Sequence, residues 1–158
     1  MPILHNDKAT PEAERALRSP CAFIWFTGIG GVSVSSLACL CRELGYRVAG
    51  SDREEGARLS ALRLRGIDAR AGHFPRSAMA SDLLVYTSAV TPDDPEVVAA
   101  RTAGIPTISR AQLIGLLSPR YRRSVGISGT HGKSTVTAMT AAALAAAGEQ
   151  PTVLCGAE

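Results

Sequence analysis

Short apolar runs alternate with helix-like stretches along most of the chain. Each run has the length of a buried strand, and each intervening stretch repeats its apolar residues at the spacing of a helix. The predicted strands are Cys21–Thr27, Tyr46–Asp52, Ile67–Ala71, Asp82–Tyr86 and Ile105–Ile108, and the predicted helices are Val34–Leu44, Arg58–Arg65, Pro95–Ala103 and Ala111–Leu117. Because the connections are short, this alternation predicts an α/β fold, a Rossmann-like parallel sheet with helices on both faces.

A second unit is predicted after a boundary at Ser118–Arg120. A strand beginning at Ser124, a helix from Lys133 to Ala147 and a strand over Thr152–Cys155 would form one βαβ unit. Since a parallel sheet is normally covered on both faces, two strands and one helix do not complete a domain. We therefore expect a polar, loosely ordered lead-in over residues 1–20, a Rossmann-like domain over 21–118 and the incomplete start of another domain over 119–158.

The composition is that of an ordinary globular protein, with 46% hydrophobic residues, 20% charged residues and a net charge of +3. No stretch approaches the ~20 apolar residues of a membrane span, and the first residues contain no apolar signal core. The basic run Arg120-Tyr121-Arg122-Arg123 is accompanied by no second basic cluster and no further aromatic residues, which favours a solvated connector over a nucleic-acid patch. Four cysteines without paired spacing fit a reducing compartment. We expect a cytoplasmic protein with no nucleic-acid partner and no membrane insertion.

A glycine-rich loop follows the first predicted strand and opens the first helix. Its residues Gly28, Gly30, Gly31, Val32 and Ser33 would bring the backbone close to a diphosphate at the start of that helix. Asp52 ends the second strand, where a doubly wound fold holds a carboxylate for a ribose or a nearby sugar. Ser33 replaces the third glycine of the dinucleotide fingerprint, so a nucleotide ligand and a plain tight turn both stay open.

A second glycine-rich loop, Gly126–Thr135, lies between a predicted strand and an amphipathic helix, which is the context of a phosphate loop. Its candidate ATP-binding residues are Gly129, Thr130, His131, Gly132, Lys133, Ser134 and Thr135. Backbone N–H groups would cradle the phosphates, Lys133 would reach the β- and γ-phosphates, and the Ser134 hydroxyl would ligate Mg²⁺. His131 either contacts a phosphate or only shapes the loop. The loop predicts a P-loop ATPase domain, with Lys133, Ser134 and His131 as catalytic candidates.

His73 is a further candidate because of its position alone. It follows the third predicted strand, at the edge of the sheet where ligands of such folds bind. That position favours neither a binding role nor a structural role over the other.

Together, the two loops resemble those of the Mur ligases, the ATP-dependent amino-acid-adding enzymes of peptidoglycan synthesis. The segments that carry the resemblance are Gly129–Thr135, Gly28–Ser35, Gly50–Asp52, Gly72-His73, Tyr86–Val90, Pro95–Arg101, Gly104–Pro106 and Ser109–Ala111. The similar region runs from about Phe23 to the end of the chain. Within the family, the ordered set implies the joining of L-alanine to UDP-N-acetylmuramate.

The resemblance also implies the site residues and the chemistry. Asp52, His73, Thr87 and Ser88 would line the UDP site beside the first loop, and the second loop would hold ATP with Mg²⁺. The family's metal-binding carboxylate, adenine pocket and alanine site are expected beyond Glu158, so the chain alone is not expected to ligate alanine. The alternatives are a non-catalytic UDP-sugar-binding module and, on the first loop alone, an NAD-dependent oxidoreductase.

Overall fold

Five short strands form one parallel sheet in the computed structural model, which describes residues 10–155. They are β1 (Phe23–Thr27), β2 (Arg47–Asp52), β3 (Asp68–Ala71), β4 (Leu83–Tyr86) and β5 (Thr107–Ser109). The order across the sheet is β3-β2-β1-β4-β5, and each neighbouring pair is parallel. The predicted α/β fold with a parallel sheet is confirmed.

Helices connect the strands and continue after them. They are α1 (Pro11–Arg18), α2 (Val32–Glu43), α3 (Ala57–Leu64), α4 (Pro75–Met79), α5 (Pro95–Thr102), α6 (Arg110–Leu117) and α7 (Lys133–Ala146), and a short 3-10 turn (Ser118–Arg120) follows α6. The sequence pattern missed α4 because its five residues are too few to show a helical period. Between residues 10 and 155, no helix is both long enough and apolar enough to cross a bilayer.

The sheet buries side chains on both faces, and each face has its own core. Along β1, Ile24 and Phe26 enter the larger core, which α1, α2, α3 and α6 cover. Trp25 enters a smaller core with residues of α4 and α5. Because alternate side chains of a strand point to opposite faces, Thr27 lies on the same face as Trp25. The face under α4 and α5 therefore ends in a polar residue at the carboxyl edge.

The predicted loose lead-in is wrong for the part that the structure describes. Residues 1–9 lie outside the described residues, but Pro11–Arg18 forms α1. The Thr10 hydroxyl caps this helix by accepting a hydrogen bond of 3.3 Å from the N–H of Ala13. Ala13 and Leu17, one turn apart, are buried in the larger core. The sequence pattern did not predict this helix because only two of its positions are apolar and buried, which is enough to attach it to the core.

The second predicted unit keeps its helix but not its strands. Helix α7 is present, whereas the residues from Ser124 and those over Thr152–Cys155 form no strand. No residue of α7 is buried, and Met139 is 67% exposed. A parallel pair covered by one helix would leave its other face and both edges open, so the two segments gain little by pairing. The fold thus does not confirm a P-loop ATPase domain.

Candidate functional site

The strand order creates a crevice between β1 and β4 at the carboxyl edge of the sheet. From β1 the chain adds β2 and β3 on one side of this strand. It then crosses back and adds β4 and β5 on the other side. Open α/β sheets bind ligands where the strand order reverses, outside the carboxyl ends of the strands. The loops that begin at Gly28 and Thr87 follow β1 and β4 and therefore flank this crevice.

The loop after β1 turns sharply at Gly28, whose φ of +81° lies in the left-handed region. The N–H groups of Gly28 and Ile29 both donate to the carbonyl of Ser51, at 2.8 and 2.9 Å, which ties the loop to β2. A Cβ atom on Gly28 would lie 2.9 Å from the Cγ2 of Thr87. Glycine is therefore required here for the turn and for the close approach to the loop after β4.

Helix α2 begins at the crevice, and its first backbone N–H groups point out of the start of the helix. Its N-cap, Gly31, supplies no side-chain hydrogen bond. Within the described chain, the N–H groups of Val32 and Ser33 have no acceptor, whereas those of Val34 and Ser35 donate to the carbonyl of Gly31. Open N–H groups and the positive end of the helix dipole both favour an anion. The start of α2 can therefore hold a phosphate group.

Asp52 fixes the middle of the loop after β1. Its Oδ2 accepts a hydrogen bond of 2.8 Å from the N–H of Gly30, and its Oδ1 accepts one of 2.8 Å from the N–H of Arg53. A Cβ atom on Gly30 would lie 2.8 Å from Asp52 Oδ2 and 2.8 Å from Leu59 Cδ1. The Gly30 N–H, which the sequence suggested for a diphosphate, thus donates to Asp52. The absence of a side chain at Gly30 lets the loop after β1 approach the end of β2 and α3.

His73 lies at the same edge, after β3, and faces the buried side chain of Asp94. The His73 Nδ1 is 3.5 Å from Asp94 Oδ2, and the two side chains are 42% and 6% exposed. Asp94 is also the N-cap of α5, because its Oδ1 accepts a hydrogen bond of 2.9 Å from the N–H of Glu96. The pairing directs Nδ1 of the imidazole toward the protein, so Nε2 is the ring nitrogen that a ligand can reach.

Thr87 and Ser88 follow β4 on the far side of the crevice. The Thr87 hydroxyl accepts a hydrogen bond of 3.0 Å from the N–H of Ala89, and the Thr87 carbonyl accepts one of 3.1 Å from the N–H of Val90. These bonds form a tight turn in which Ser88 is exposed. All the residues suggested for the UDP site therefore lie at one edge of the sheet, in the loops after β1, β3 and β4, at the start of α2 and at the end of β2.

The sequence reasoning missed Glu96, which is fully buried next to these loops. An acidic residue in the first turn of a helix, here directly after Pro95, is ordinarily explained by the helix dipole. A signal was nevertheless present. Thr27 ends β1 and Ser51 is the last residue but one of β2, and buried hydroxyl groups such as these need hydrogen-bond partners. Both donate to the carboxylate of Glu96.

The second glycine loop is largely exposed, and its lysine folds back onto the loop. The Lys133 ammonium donates to the carbonyl of Gly129 and, at 3.2 Å, to that of Thr130. Gly132, with a φ of +76°, is the N-cap of α7 and supplies no side-chain hydrogen bond. The N–H groups of residues 129–132 have no acceptor within the described chain. The loop therefore offers backbone donors for a phosphate, as its sequence suggested.

A metal ion at this loop would have few protein ligands. Ser134 and Thr135 are exposed in the first turn of α7, and His131 is exposed just before it. Among the described residues, no group of three or more His, Cys, Asp or Glu side chains could hold a metal ion. Mg²⁺ commonly binds through one or two protein oxygens together with substrate phosphates. The Ser134 hydroxyl fits that pattern as a single ligand to a phosphate-bound ion.

Comparison with protein families links the first domain to a known group of enzymes. The family described as "Mur ligase family, catalytic domain" matches residues 23–122, from β1 to just beyond the 3-10 turn. The UDP-N-acetylmuramate–L-alanine ligase of Chelativorans sp. (strain BNC1) is 44% identical over 133 residues, which make up 84% of this chain and 28% of that protein. The chain thus spans less than a third of the length of the curated relatives that it matches.

Solved structures agree with this comparison. The UDP-N-acetylmuramate–alanine ligase of Thermotoga maritima has a TM-score of 0.79 and 35% identity, over 85% of this chain and 32% of that chain. A murein peptide ligase of Psychrobacter arcticus has a TM-score of 0.70 and 30% identity, over 80% of this chain and 27% of that chain. The similarity therefore extends from sequence to the arrangement of the backbone.

Proposed function

Because the chain belongs to the Mur ligase family, we propose that residues 21–118 bind UDP-N-acetylmuramate and that residues 119–158 carry a phosphate loop for ATP. The two regions would serve an ATP-dependent ligase that joins L-alanine to the sugar nucleotide. The names of the relatives at 41–44% identity support this choice of substrates. No residue of this chain is assigned to the binding of L-alanine.

The observation that carries the UDP site is the pair of open N–H groups at the start of α2. Val32 and Ser33 offer these donors beside the crevice between β1 and β4. A diphosphate carries negative charge that such a helix start stabilises. Asp52 lies at the end of the neighbouring strand, where its carboxylate oxygens can also accept hydrogen bonds from sugar hydroxyls. This arrangement suits a nucleoside diphosphate sugar.

The reaction that we propose needs positioning and neutralisation of charge. The carboxylate of UDP-N-acetylmuramate attacks the γ-phosphate of ATP, which yields an acyl phosphate and ADP. The amine of L-alanine then attacks the acyl carbon, forms the amide bond and releases phosphate. Phosphoryl transfer of this kind requires no covalent enzyme intermediate, so an open helix start and a phosphate loop are appropriate contributions from the protein.

The phosphate loop would act through its backbone, its lysine and one hydroxyl. The N–H groups of residues 129–132 would bind phosphate oxygens, and Lys133 would exchange its present carbonyl acceptors for the β- and γ-phosphates. The Ser134 hydroxyl would ligate Mg²⁺, with the remaining ligands supplied by phosphates and water. The ion would neutralise charge on the transferred phosphoryl group. Thr130, His131 and Thr135 would line the same site.

Isothermal titration calorimetry with UDP-N-acetylmuramate tests the first assignment. We expect binding with a Kd on the order of 1 mM or tighter, and no comparable heat with NADH. Asp52→Asn should weaken binding about tenfold, because a neutral amide accepts hydrogen bonds less strongly than a carboxylate. Glu43→Gln removes the same charge from the exposed end of α2 and should leave binding unchanged. Equal affinities of these two variants would exclude the assigned UDP site.

Phosphorus NMR titration with ATP, with and without Mg²⁺, tests the second assignment. Lys133→Met should weaken ATP binding about tenfold or more, because the point charge at the β- and γ-phosphates is lost. Arg18→Met removes one positive charge from the exposed last turn of α1, outside the loop, and is the matched control. Ser134→Ala should reduce the effect of Mg²⁺ while ATP without metal still binds. If Lys133→Met binds ATP as the unaltered chain does, the loop is not the ATP site.

A further inference from the structure

The carboxylate of Glu96 is buried and receives hydrogen bonds from a cluster of donors that we call the Glu96 cluster. Its Oε2 accepts from Trp25 Nε1 at 2.8 Å, from Thr27 Oγ1 at 2.7 Å and from Ser51 Oγ at 2.7 Å, and its Oε1 accepts from the backbone N–H of Phe74 at 2.7 Å. Glu96 itself has no exposed surface. A carboxylate so enclosed is tolerated because each of its oxygens is hydrogen-bonded.

The donors come from three separate segments that meet at the carboxyl edge of the sheet. Thr27 ends β1, Ser51 directly precedes the last residue of β2, and the two lie directly opposite each other in the strand register. The amide of Phe74 belongs to the loop that follows β3 and carries His73. Glu96 therefore joins the carboxyl ends of β1 and β2 to the backbone of the loop after β3.

The same turn of α5 holds this loop at a second point. The Oδ2 of Asp94 lies 3.5 Å from the Nδ1 of His73, while the Oδ1 of Asp94 accepts from the N–H of Glu96. Two consecutive residues of the loop, His73 and Phe74, are thus fixed by two acidic residues at the start of one helix. Both the backbone and the imidazole of the loop are oriented by these contacts.

We propose that Glu96 is a positioning residue for the substrate site, which places His73 at the crevice by holding the amide of Phe74. This inference rests on the proposed function, since it assumes that the crevice binds UDP-N-acetylmuramate. Glu96 would not touch the substrate. Its effect would pass through the loop after β3, and a site built on fixed supports binds with less loss of conformational freedom than one on a mobile loop.

Glu96→Gln separates the positioning contact from the rest of the cluster. A glutamine has one acceptor oxygen and one NH₂ group. Its oxygen should take the place of Oε2, where three donors converge, and its NH₂ group should then face the N–H of Phe74. Two donors facing each other form no hydrogen bond, so the variant keeps the contacts to Trp25, Thr27 and Ser51 and loses the contact to Phe74.

NMR spectroscopy of the full chain detects this difference. Trp25 is the single tryptophan, so its indole N–H signal is unambiguous. In the unaltered chain we expect the Phe74 amide to be protected from hydrogen exchange. In Glu96→Gln it should exchange about tenfold faster or more, while the Trp25 indole signal shifts little. Fast exchange at Phe74 in the unaltered chain would overturn the proposal, even if the variant failed to fold.

Ligand binding gives the functional test. Glu96→Gln and His73→Ala should each weaken the binding of UDP-N-acetylmuramate about tenfold, and the double variant should be little weaker than either, because both act through His73. Ile108→Val, a core change in β5 away from the loop, is the control for lost stability. Additive losses, or unchanged affinity of Glu96→Gln, would overturn the proposal. If the unaltered chain binds no ligand, the proposed function fails, whereas the exchange rate at Phe74 still decides whether Glu96 holds the loop.

Discussion

The backbone N–H of Gly30 donates a hydrogen bond of 2.8 Å to the carboxylate of Asp52. The two residues belong to different segments, the loop after β1 and the end of β2, and their contact ties the loop to that strand. The Arg58 guanidinium donates to the carbonyl of Gly30 at 3.3 Å. Both the N–H and the carbonyl of Gly30 are therefore hydrogen-bonded to neighbouring elements. The shape of the proposed phosphate-binding loop thus depends on residues that follow it in the chain.

Gly30→Ala should destabilise the fold by about 1–3 kcal/mol, because the new methyl group meets Asp52 and Leu59 at distances that require both to move. Urea unfolding measures the change. Gly115→Ala is the matched control, since a Cβ atom at Gly115 in α6 meets nothing within 4 Å and alanine favours a helix. Equal effects of the two substitutions would contradict the close approach described at Gly30.

The clash at Gly30 should depend on Asp52. Asp52→Ala removes the nearer oxygen and leaves only Leu59 in the way, so the cost of Gly30→Ala should be about 1 kcal/mol smaller in that background. A double-mutant cycle in urea gives this coupling free energy. Strictly additive free energies of unfolding would show that the alanine is accommodated by movement of the backbone and not by displacement of Asp52.

The sheet could be predicted from the sequence because its strands are buried on both faces and therefore read as continuous apolar runs, such as that ending at Thr27. The sequence also indicated that ligands bind at the carboxyl edge of the sheet, from the glycines Gly28 and Gly30 and the carboxylate of Asp52. Glycine is needed where φ is positive or where a Cβ atom would clash. A charged residue at the end of a buried strand needs hydrogen-bond partners. These features are local, so a single stretch of sequence contains them.

The features that escaped prediction depend on contacts between distant segments. Glu96 looks like an ordinary first-turn residue until β1, β2 and the loop after β3 surround it. Helix α1 has a polar sequence, and only its packing through Ala13 and Leu17 shows that it belongs to the core. Conversely, the strands predicted at Ser124 and Thr152 have apolar residues but no sheet to join. Strand formation requires a partner that local sequence does not supply.

Tyr46→Phe should cost about 1 kcal/mol of stability. The buried Tyr46 hydroxyl donates a hydrogen bond of 2.7 Å to the carbonyl of Leu17, the residue that ends the buried stripe of α1. Arg120 donates to the same carbonyl and lies 5.2 Å above the Tyr46 ring, so the phenylalanine keeps its packing and loses the hydrogen bond to Leu17. Thermal or urea unfolding measures the loss.

Tyr86→Phe is the control for that substitution. No hydrogen bond joins the Tyr86 hydroxyl to another described residue, and the contact of the Arg101 guanidinium with its ring does not require the hydroxyl. Its removal should change the free energy of unfolding by less than about 0.5 kcal/mol. A loss at Tyr46 no larger than the loss at Tyr86 would mean that the contact with Leu17 does not hold α1 in place.

The stability of the fold should decrease at alkaline pH because of Cys41. Burial raises the pKa of the Cys41 thiol from 9.0 to about 12, although the charge of Arg120 opposes the rise. Above pH 9.0 the thiol ionises in the unfolded chain but keeps its proton in the folded chain. The unfolded state then binds fewer protons, so the free energy of unfolding falls with increasing pH, by about 1.4 kcal/mol per pH unit between the two pKa values.

Cys41→Ala isolates this effect. Alanine does not ionise, so the difference in unfolding free energy between the unaltered chain and the variant should be constant near about pH 8 and should change steadily toward about pH 10.5. Burial also raises the pKa of Tyr46, but that group is present in both proteins and largely cancels in the difference. Cys21 is exposed, and Cys21→Ala should show no such trend. A pH-independent difference for Cys41→Ala would show that solvent reaches the thiol in the folded chain.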